Sequence, residues 1–149
     1  MRSKKALPPT YLYASIVVMV ALHLLYPGAH IIPTPWNFLG SVPFVLGLVI
    51  NVLADRAFKK HGTTVKPFAE STHLVTTGMF RFSRNPMYLG FVLVLIGIAV
   101  LMGSLTPYAV IAVFAILMDV TFIRVEERML EKAFGESWLQ YKRKVRRWI

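Results

Sequence analysis

The sequence predicts an all-α integral membrane protein: four transmembrane helices, a cytoplasmic connector and an amphipathic C-terminal helix. Three observations lead there. Of 149 residues, 56% are hydrophobic and only 16% charged, against about 45–50% and about 25% in soluble domains, and the mean hydropathy is +0.57. The apolar residues are gathered in long uncharged runs. The basic residues lie in short stretches between alternate pairs of those runs. The length suits one domain, residues 1–149. A disordered chain, a collagen and a small secreted disulfide scaffold are excluded by composition. With no cysteine, so are thiol catalysis and cysteine metal sites.

The first run, about residues 11–26, ends at Pro27-Gly28 and holds one polar intruder, His23. A signal-peptide core is the alternative, but it calls for a small-residue cleavage pattern behind it. Pro27, Pro33 and Pro35 follow instead and read as a rigid connecting loop. The second run, about 38–54, stops before Asp55-Arg56, and the third, 88–102, breaks at Gly103-Ser104. The fourth covers about 105–123. A span needs about 20 mostly apolar residues, with a range of about 17–25. The first and third runs are slightly short, and their Tyr and Pro flanks complete them in the interface.

Arg2, Lys4 and Lys5 precede the first run; six basic residues lie between the second and third, and eight follow the fourth, which accounts for all 17. The segments 27–37 and 103–107 have none. Cytoplasmic loops carry the Lys/Arg excess, so both termini and the middle segment are expected in the cytoplasm. The net charge of +10 then reads as a basic face toward membrane lipids with anionic head groups, not as a nucleic-acid surface.

All seven acidic residues, Asp55, Glu70, Asp119, Glu126, Glu127, Glu131 and Glu136, fall at or beyond the cytoplasmic ends of spans. Polar chemistry is therefore expected at that interface, in two segments. The connector from about His61 to Tyr88 is long for a compact protein, yet Val65, Phe68, Leu74, Val75, Met79, Phe80 and Phe82 let it pack. Gly62-Thr63-Thr64 and Thr76-Thr77-Gly78 read as turns. Its end, Arg81 to Gly90, is the densest polar-aromatic cluster in the chain. Asn85-Pro86 there reads as an extended residue before a helix start, whose free amides can meet an anionic or polar group. The plainer alternative makes Arg81 and Arg84 interfacial anchors and Tyr88 a belt residue.

The second segment is the tail from Arg124. Leu130, Phe134, Trp138, Tyr141, Val145 and Trp148 recur three or four residues apart, the pattern of a helix lying on the membrane surface, with Gly135 as a bend. Of the adjacent Glu126 and Glu127, one can point into a pocket and bind a cationic ligand; both can also be a solvated face. Asp119 is either an ionisable functional group at membrane depth or a hydrated interfacial residue. Asn51 is expected to hydrogen-bond a neighbouring helix, and His23 to pack between helices. No metal-ligand spacing joins the four histidines, and no Ser-His-Asp set or phosphate-cradling glycine motif is present.

Three separated blocks carry a resemblance. They are Thr72-His73-Leu74-Val75-Thr76-Thr77-Gly78-Met79-Phe80, Arg84-Asn85-Pro86-Met87-Tyr88-Leu89-Gly90, and Glu126-Glu127 followed by Phe134-Gly135 and Tyr141. In order and spacing, over roughly residues 45–145, the chain resembles the integral-membrane methyltransferases: the isoprenylcysteine carboxyl methyltransferases and the related phospholipid N-methyltransferases. The resemblance implies that connector and tail fold over the helix ends around S-adenosylmethionine, while a lipophilic acceptor enters from the bilayer. It implies cofactor contacts from Thr72, His73, Leu74, Val75, Phe80, Asn85, Pro86, Met87, Tyr88, Glu126 and Glu127. Asn85 stands where the family has His, Phe80 where it has Tyr, and Phe122 where the carboxyl methyltransferases place a basic residue. Arg124 is the nearest substitute and the expected holder of an anionic group on the acceptor.

The chemistry of those residues agrees. A carboxylate can hold the cofactor's ammonium, and aromatic faces attract its sulfonium. Positioning supplies most of the catalysis of an in-line transfer. The expected function is methyl transfer from S-adenosylmethionine to a lipophilic acceptor, most like a prenylcysteine-type carboxylate, with no metal. The alternatives are a phospholipid amine N-methyltransferase, a more distant sterol reductase, and a non-enzymatic membrane subunit with a lipid-binding basic tail.

Overall fold

The computed structural model describes residues 7–62 and 72–149. The basic residues Arg2, Lys4, Lys5 and Lys66, the acid Glu70, the turn at Thr63-Thr64, and Val65 and Phe68 lie outside the described residues. The described chain is helical: α1 (Pro8–Leu25), a 3₁₀ turn (Trp36–Gly40), α2 (Ser41–Lys60), a second 3₁₀ turn (Gly78–Arg81), α3 (Pro86–Met102), α4 (Pro107–Met118), a π-helical segment (Asp119–Ile123), α5 (Arg124–Phe134) and α6 (Glu136–Lys144).

Proline opens α1, α3 and α4 at the first helical turn, where its missing N–H costs nothing. Gly103 closes α3 in the left-handed conformation, φ 72°, which glycine adopts without steric penalty. Among the described residues three helices are long and apolar enough to cross a membrane: Pro8–Leu25, Trp36–Lys60 and the unbroken Pro107–Phe134. The chain is thus an integral membrane protein. The fourth apolar helix, Pro86–Met102, has 17 residues. The helix expected to end near residue 123 instead runs on to Phe134. Its 28 residues extend about 42 Å at 1.5 Å per residue, beyond a hydrocarbon core of about 30 Å. The π segment and α5 therefore carry acidic and basic side chains past the apolar layer.

α3 lies at the centre, against α2 on one side and α4 and α1 on the other. The α2–α3 seam is built on glycines seven residues apart on each strand of the antiparallel pair. A Cβ on Gly40 would stand 2.5 Å from the Gly97 carbonyl oxygen, and one on Gly47 2.5 Å from that of Gly90. The backbones approach because no side chain intervenes. Asn51 sits in this seam, but its Nδ2 donates to the Gly47 oxygen of its own helix at 2.9 Å. Among the described residues its amide makes no interhelical hydrogen bond of the kind expected. On the other side of α3, buried Met19, Tyr88, Leu95, Phe114, Met118 and Phe122 form the main core.

The two segments without Lys or Arg meet at one end. Ile31 N donates to the Gly103 oxygen at 2.9 Å, Leu105 N to the Ala29 oxygen at 3.0 Å, and His23 Nδ1 lies 2.8 Å from Ser104 Oγ. The connector and tail occupy the opposite end. The tail breaks at Gly135, φ 50°, as its glycine suggests, but its apolar side is not free to lie on a membrane. Trp138 and Tyr141 are buried with Ala54, Val75 and Phe80. α6 caps the helix ends because its aromatic residues find apolar partners in the connector, and the five residues after it run back without helix.

Candidate functional site

The cap is held by two arginines: Arg84, which the sequence offers as an interfacial anchor, and Arg147, which it leaves in the general basic charge. Arg84 directs Nε and Nη2 to Glu127 Oε1 at 3.1 and 2.9 Å. Its Nη1 donates to the carbonyls of Lys142 and Val145, both at 3.0 Å, and its guanidinium lies 5.8 Å from the Trp138 ring centroid. The Arg84 and Glu127 side chains are only 8% and 7% exposed, so this is a desolvated pair with nearly every donor used. It is not the solvated anchor of the plainer reading. Arg147 completes it: Nη2 donates to Glu127 Oε2 at 2.7 Å and Nη1 to Asp119 Oδ1 at 3.1 Å. The hydrogen bonds to Glu127 push the Arg147 guanidinium above its ordinary pKa, helped by the charges of Glu127 and Asp119 and opposed by desolvation.

The backbone closes the same joint. Arg84 N donates to the Arg146 oxygen at 3.0 Å, and Asn85 Nδ2 to the Arg147 oxygen at 3.1 Å. Ser83 Oγ accepts from Asn85 N at 3.1 Å and holds Asn85 at φ −129°, ψ 57°, short of the extended conformation expected before Pro86. Asn85 thus ties the start of α3 to the tail. Tyr141 donates its hydroxyl to the Phe80 carbonyl at 2.6 Å; burial pushes that phenol up to about 12, against the lowering effect of Arg84.

The π segment shapes the neighbouring face. Asp119 Oδ2 accepts from Arg124 Nε at 2.8 Å, five residues on, the spacing that a π turn brings into register. The expectation of a functional or hydrated Asp119 resolves into a carboxylate shared by Arg124 and Arg147.

Glu126 differs from its neighbour. Its Oε1 accepts from the Tyr88 hydroxyl at 2.8 Å, and no Lys or Arg among the described residues pairs with it. Tyr88 stacks on Phe122 at 6.3 Å between centroids, and Phe122 meets Tyr11 edge-on at 5.6 Å. The half-buried carboxylate therefore stands against an aromatic wall with capacity for a cation. The indole N–H of Trp138 is buried without an acceptor among the described residues. A carboxylate that meets a tyrosine hydroxyl and no Lys or Arg among the described residues suits the ammonium of a cationic ligand such as S-adenosylmethionine.

The residues singled out from the sequence fall into two groups. Tyr88 and Glu126 are joined directly. Val75 and Phe80 belong to the second cluster, with Met87 and Leu74 packed against it; Phe80 meets Phe58 edge-on at 5.1 Å. Pro86 is fully buried, and Thr72 and His73 are exposed at the connector. Glu127 is occupied by arginines. Arg124 is two residues from Glu126, about 200° around a helix, and points away from it toward Asp119. Sequence reasoning missed Arg147, Trp138 and the capping role of Arg84. The available signal was a carboxylate pair at a span's end, which needed cations from elsewhere in the chain.

Comparison with known proteins bears on the family and the fold. The family model described as phospholipid methyltransferase matches residues 36–137. The chain is 35% identical over 111 residues to the protein-S-isoprenylcysteine O-methyltransferase of Saccharomyces cerevisiae, covering 72% of this chain and 46% of the yeast protein. It is 33% identical over 63 residues to an uncharacterized protein of Haemophilus influenzae, covering 42% of this chain and all of that one. The solved structure of a eukaryotic intramembrane Ras methyltransferase, an isoprenylcysteine carboxyl methyltransferase, superposes with a TM-score of 0.69 at 22% identity, over 95% of this chain and 51% of the other. The chain thus spans about half the length of these two named relatives, and its helices share the fold of the solved one. By the match over residues 36–137, the chain belongs to the phospholipid methyltransferase family.

Proposed function

We propose that this protein is an S-adenosylmethionine-dependent methyltransferase acting on a lipophilic acceptor, most like a prenylcysteine-type carboxylate, at the cytoplasmic membrane interface. The observation that carries the reading is Glu126, a half-buried carboxylate held by Tyr88 and without a Lys or Arg partner among the described residues, in a chain of this family. When bound, S-adenosylmethionine supplies a methyl group already activated on a sulfonium. Glu126 holds its ammonium by charge-assisted hydrogen bonds, with Tyr88 fixing the carboxylate's orientation. The Tyr88 ring offers a face to the sulfonium, worth about 0.5–2 kcal/mol. Asn85, Pro86 and Met87 form the first turn of α3 and would hold Tyr88 in place for the donor. Thr72, His73, Leu74, Val75 and Phe80 form the connector side of the pocket, and Glu127 contributes by holding the cap closed.

In this reading α3 is a fourth span, both termini and the connector face the cytoplasm, and the acceptor arrives sideways from the bilayer near Tyr88. The zipped segments 27–35 and 103–106 form the far end, which supports that orientation. A reporter fused after Ile149 tests it: a cytoplasmic reporter is expected, and an extracytoplasmic one overturns it. A carboxylate acceptor needs no general base, in keeping with the described residues, among which no His, Lys or second carboxylate is hydrogen-bonded to Glu126. A second reading, transfer to a phospholipid amine, is favoured by the description of the matching family.

One experiment separates these readings. The full chain in lipid vesicles is given methyl-labelled S-adenosylmethionine with membrane lipid extract and, separately, with water-soluble metabolites. Label in the organic phase that mild base releases as methanol marks a carboxyl ester, the expected product. Base-stable label marks an N-methyl amine. Label confined to water-soluble products, or no transfer, overturns the proposal.

A further inference from the structure

On the face of α5 turned away from Glu126, two adjoining hollows of about 460 and 590 Å³ share Val120, Arg124 and Arg147. Around them stand five cations, Arg84, Arg124, Arg128, Lys142 and Arg147, and three carboxylates, Asp119, Glu127 and Glu131. The carboxylates are already taken. Glu127 is shared by Arg84 and Arg147, Asp119 by Arg124 and Arg147, and Glu131 lies 3.6 Å from Lys142. Arg128 meets no carboxylate among the described residues; its Nε donates to the Arg124 carbonyl at 3.2 Å. The hollows therefore carry an excess of two positive charges.

Their apolar side is as informative. Ala115, Ile116, Val120 and Trp148 line the lower part, and Ile116 and Val120 are 63% and 54% exposed. They belong to the membrane-crossing helix Pro107–Phe134, one and two turns before Arg124. Exposed hydrocarbon thus passes into the guanidinium of Arg124 within about 12 Å of helix, and reaches Arg128, which meets no carboxylate among the described residues, within about 18 Å, at 1.5 Å per residue. A small free anion would use the cations and leave the apolar strip unaccounted for. A ligand with an anionic head and a hydrocarbon tail uses both, and cations at this depth stay hydrated by extending toward the interface. The position of Glu126, about 200° around α5 from Arg124, separates this feature from the methyl-transfer pocket.

We propose that these hollows bind the phosphodiester head group of an anionic phospholipid, with its acyl chain along Ile116 and Val120. Because Arg147 lines both hollows and belongs to the closing tail, the bound lipid also braces the cap.

The test needs neither methyl donor nor acceptor, so it stands or falls separately from the enzymatic reading. The full chain in neutral detergent is titrated with phosphatidylglycerol, phosphatidylcholine or glycerol 3-phosphate, following bound molecules by native mass spectrometry and the melting temperature. One phosphatidylglycerol is expected to bind in preference to phosphatidylcholine and to raise the melting temperature, while glycerol 3-phosphate does neither. Arg124→Gln/Arg128→Gln is expected to weaken phosphatidylglycerol binding at least fivefold. Arg128→Gln alone, at an exposed residue with one backbone hydrogen bond, keeps the fold and weakens it at least twofold. Equal retention of the two lipids, equal binding of glycerol 3-phosphate, or unchanged phosphatidylglycerol affinity in both variants overturns the proposal.

Discussion

Along the α2–α3 seam, backbone meets backbone; over the helix ends, connector and tail are joined by desolvated charge. The seam works by what it lacks. Gly40, Gly47, Gly90 and Gly97 leave no side chain between the helices, so close packing can act where lipid offers no hydrophobic drive for association. The cap works by satisfaction. Glu127 accepts from Arg84 and Arg147, and Arg84 spends its remaining donors on tail carbonyls. A small-residue seam tolerates no added atom, whereas a charged joint tolerates no missing partner. The contrast also separates the two glutamates. Glu127 is consumed in structure, and Glu126, one residue earlier, meets the Tyr88 hydroxyl and no Lys or Arg among the described residues, which is the basis of the ligand role proposed for it.

The largest effect is expected from removing a partner in the cap. Glu127→Gln leaves Arg84 and Arg147 beside a neutral amide in a site only 7% exposed at the glutamate side chain. Breaking a buried pair this way costs about 3–5 kcal/mol. Limited proteolysis should cut the tail of the variant far faster, with a lower melting temperature; wild-type resistance would show that the cap does not depend on this joint. Next comes the seam. In Gly90→Ala the new methyl would stand 2.8 Å from the Gly47 oxygen and against the Asn51 amide, and overpacking of this kind costs about 1–3 kcal/mol. The melting temperature should fall without increased cleavage of the tail. Selective loss of the tail instead would mean that seam and cap are not separate.

The smallest effect tests the edge of the cap. Tyr141→Phe removes the 2.6 Å hydrogen bond to the Phe80 carbonyl, worth about 0.5–1.5 kcal/mol. It also changes the alkaline behaviour. The folded phenol is raised from 10.0 to about 12, so the unfolded chain ionises first. The wild type keeps this contribution below pH 10 and loses it as pH rises toward 12. Melting scans across that range should show a shallower decline in the variant; an identical slope would exclude Tyr141 as its source.

Much of the helical frame was legible because apolar runs and their proline and glycine punctuation are local signals. Pro86, Gly103 and Gly135 mark helix boundaries in the sequence and in the structure. The end of the last long helix was not legible, since hydropathy falls at Arg124 while backbone hydrogen bonding does not. The tail's period was read correctly and its partner was not, because periodicity shows an apolar face without saying what covers it. The Glu127 partners lie 43 and 20 residues away, separations that leave no pattern in a sequence. The blocks around Tyr88 and Glu126 were visible through family resemblance, whereas their 2.8 Å contact depends on how α3 meets the end of a helix 38 residues later.

The central claim, that the two adjacent carboxylates divide into a structural and a ligand-binding one, is tested most directly by titration calorimetry of the purified chain with S-adenosylmethionine. The wild type should bind. Glu126→Gln should bind at least tenfold more weakly, about 1.4 kcal/mol, while its melting temperature and tail protection stay close to wild type. Equal affinity in a folded Glu126→Gln protein would contradict the account.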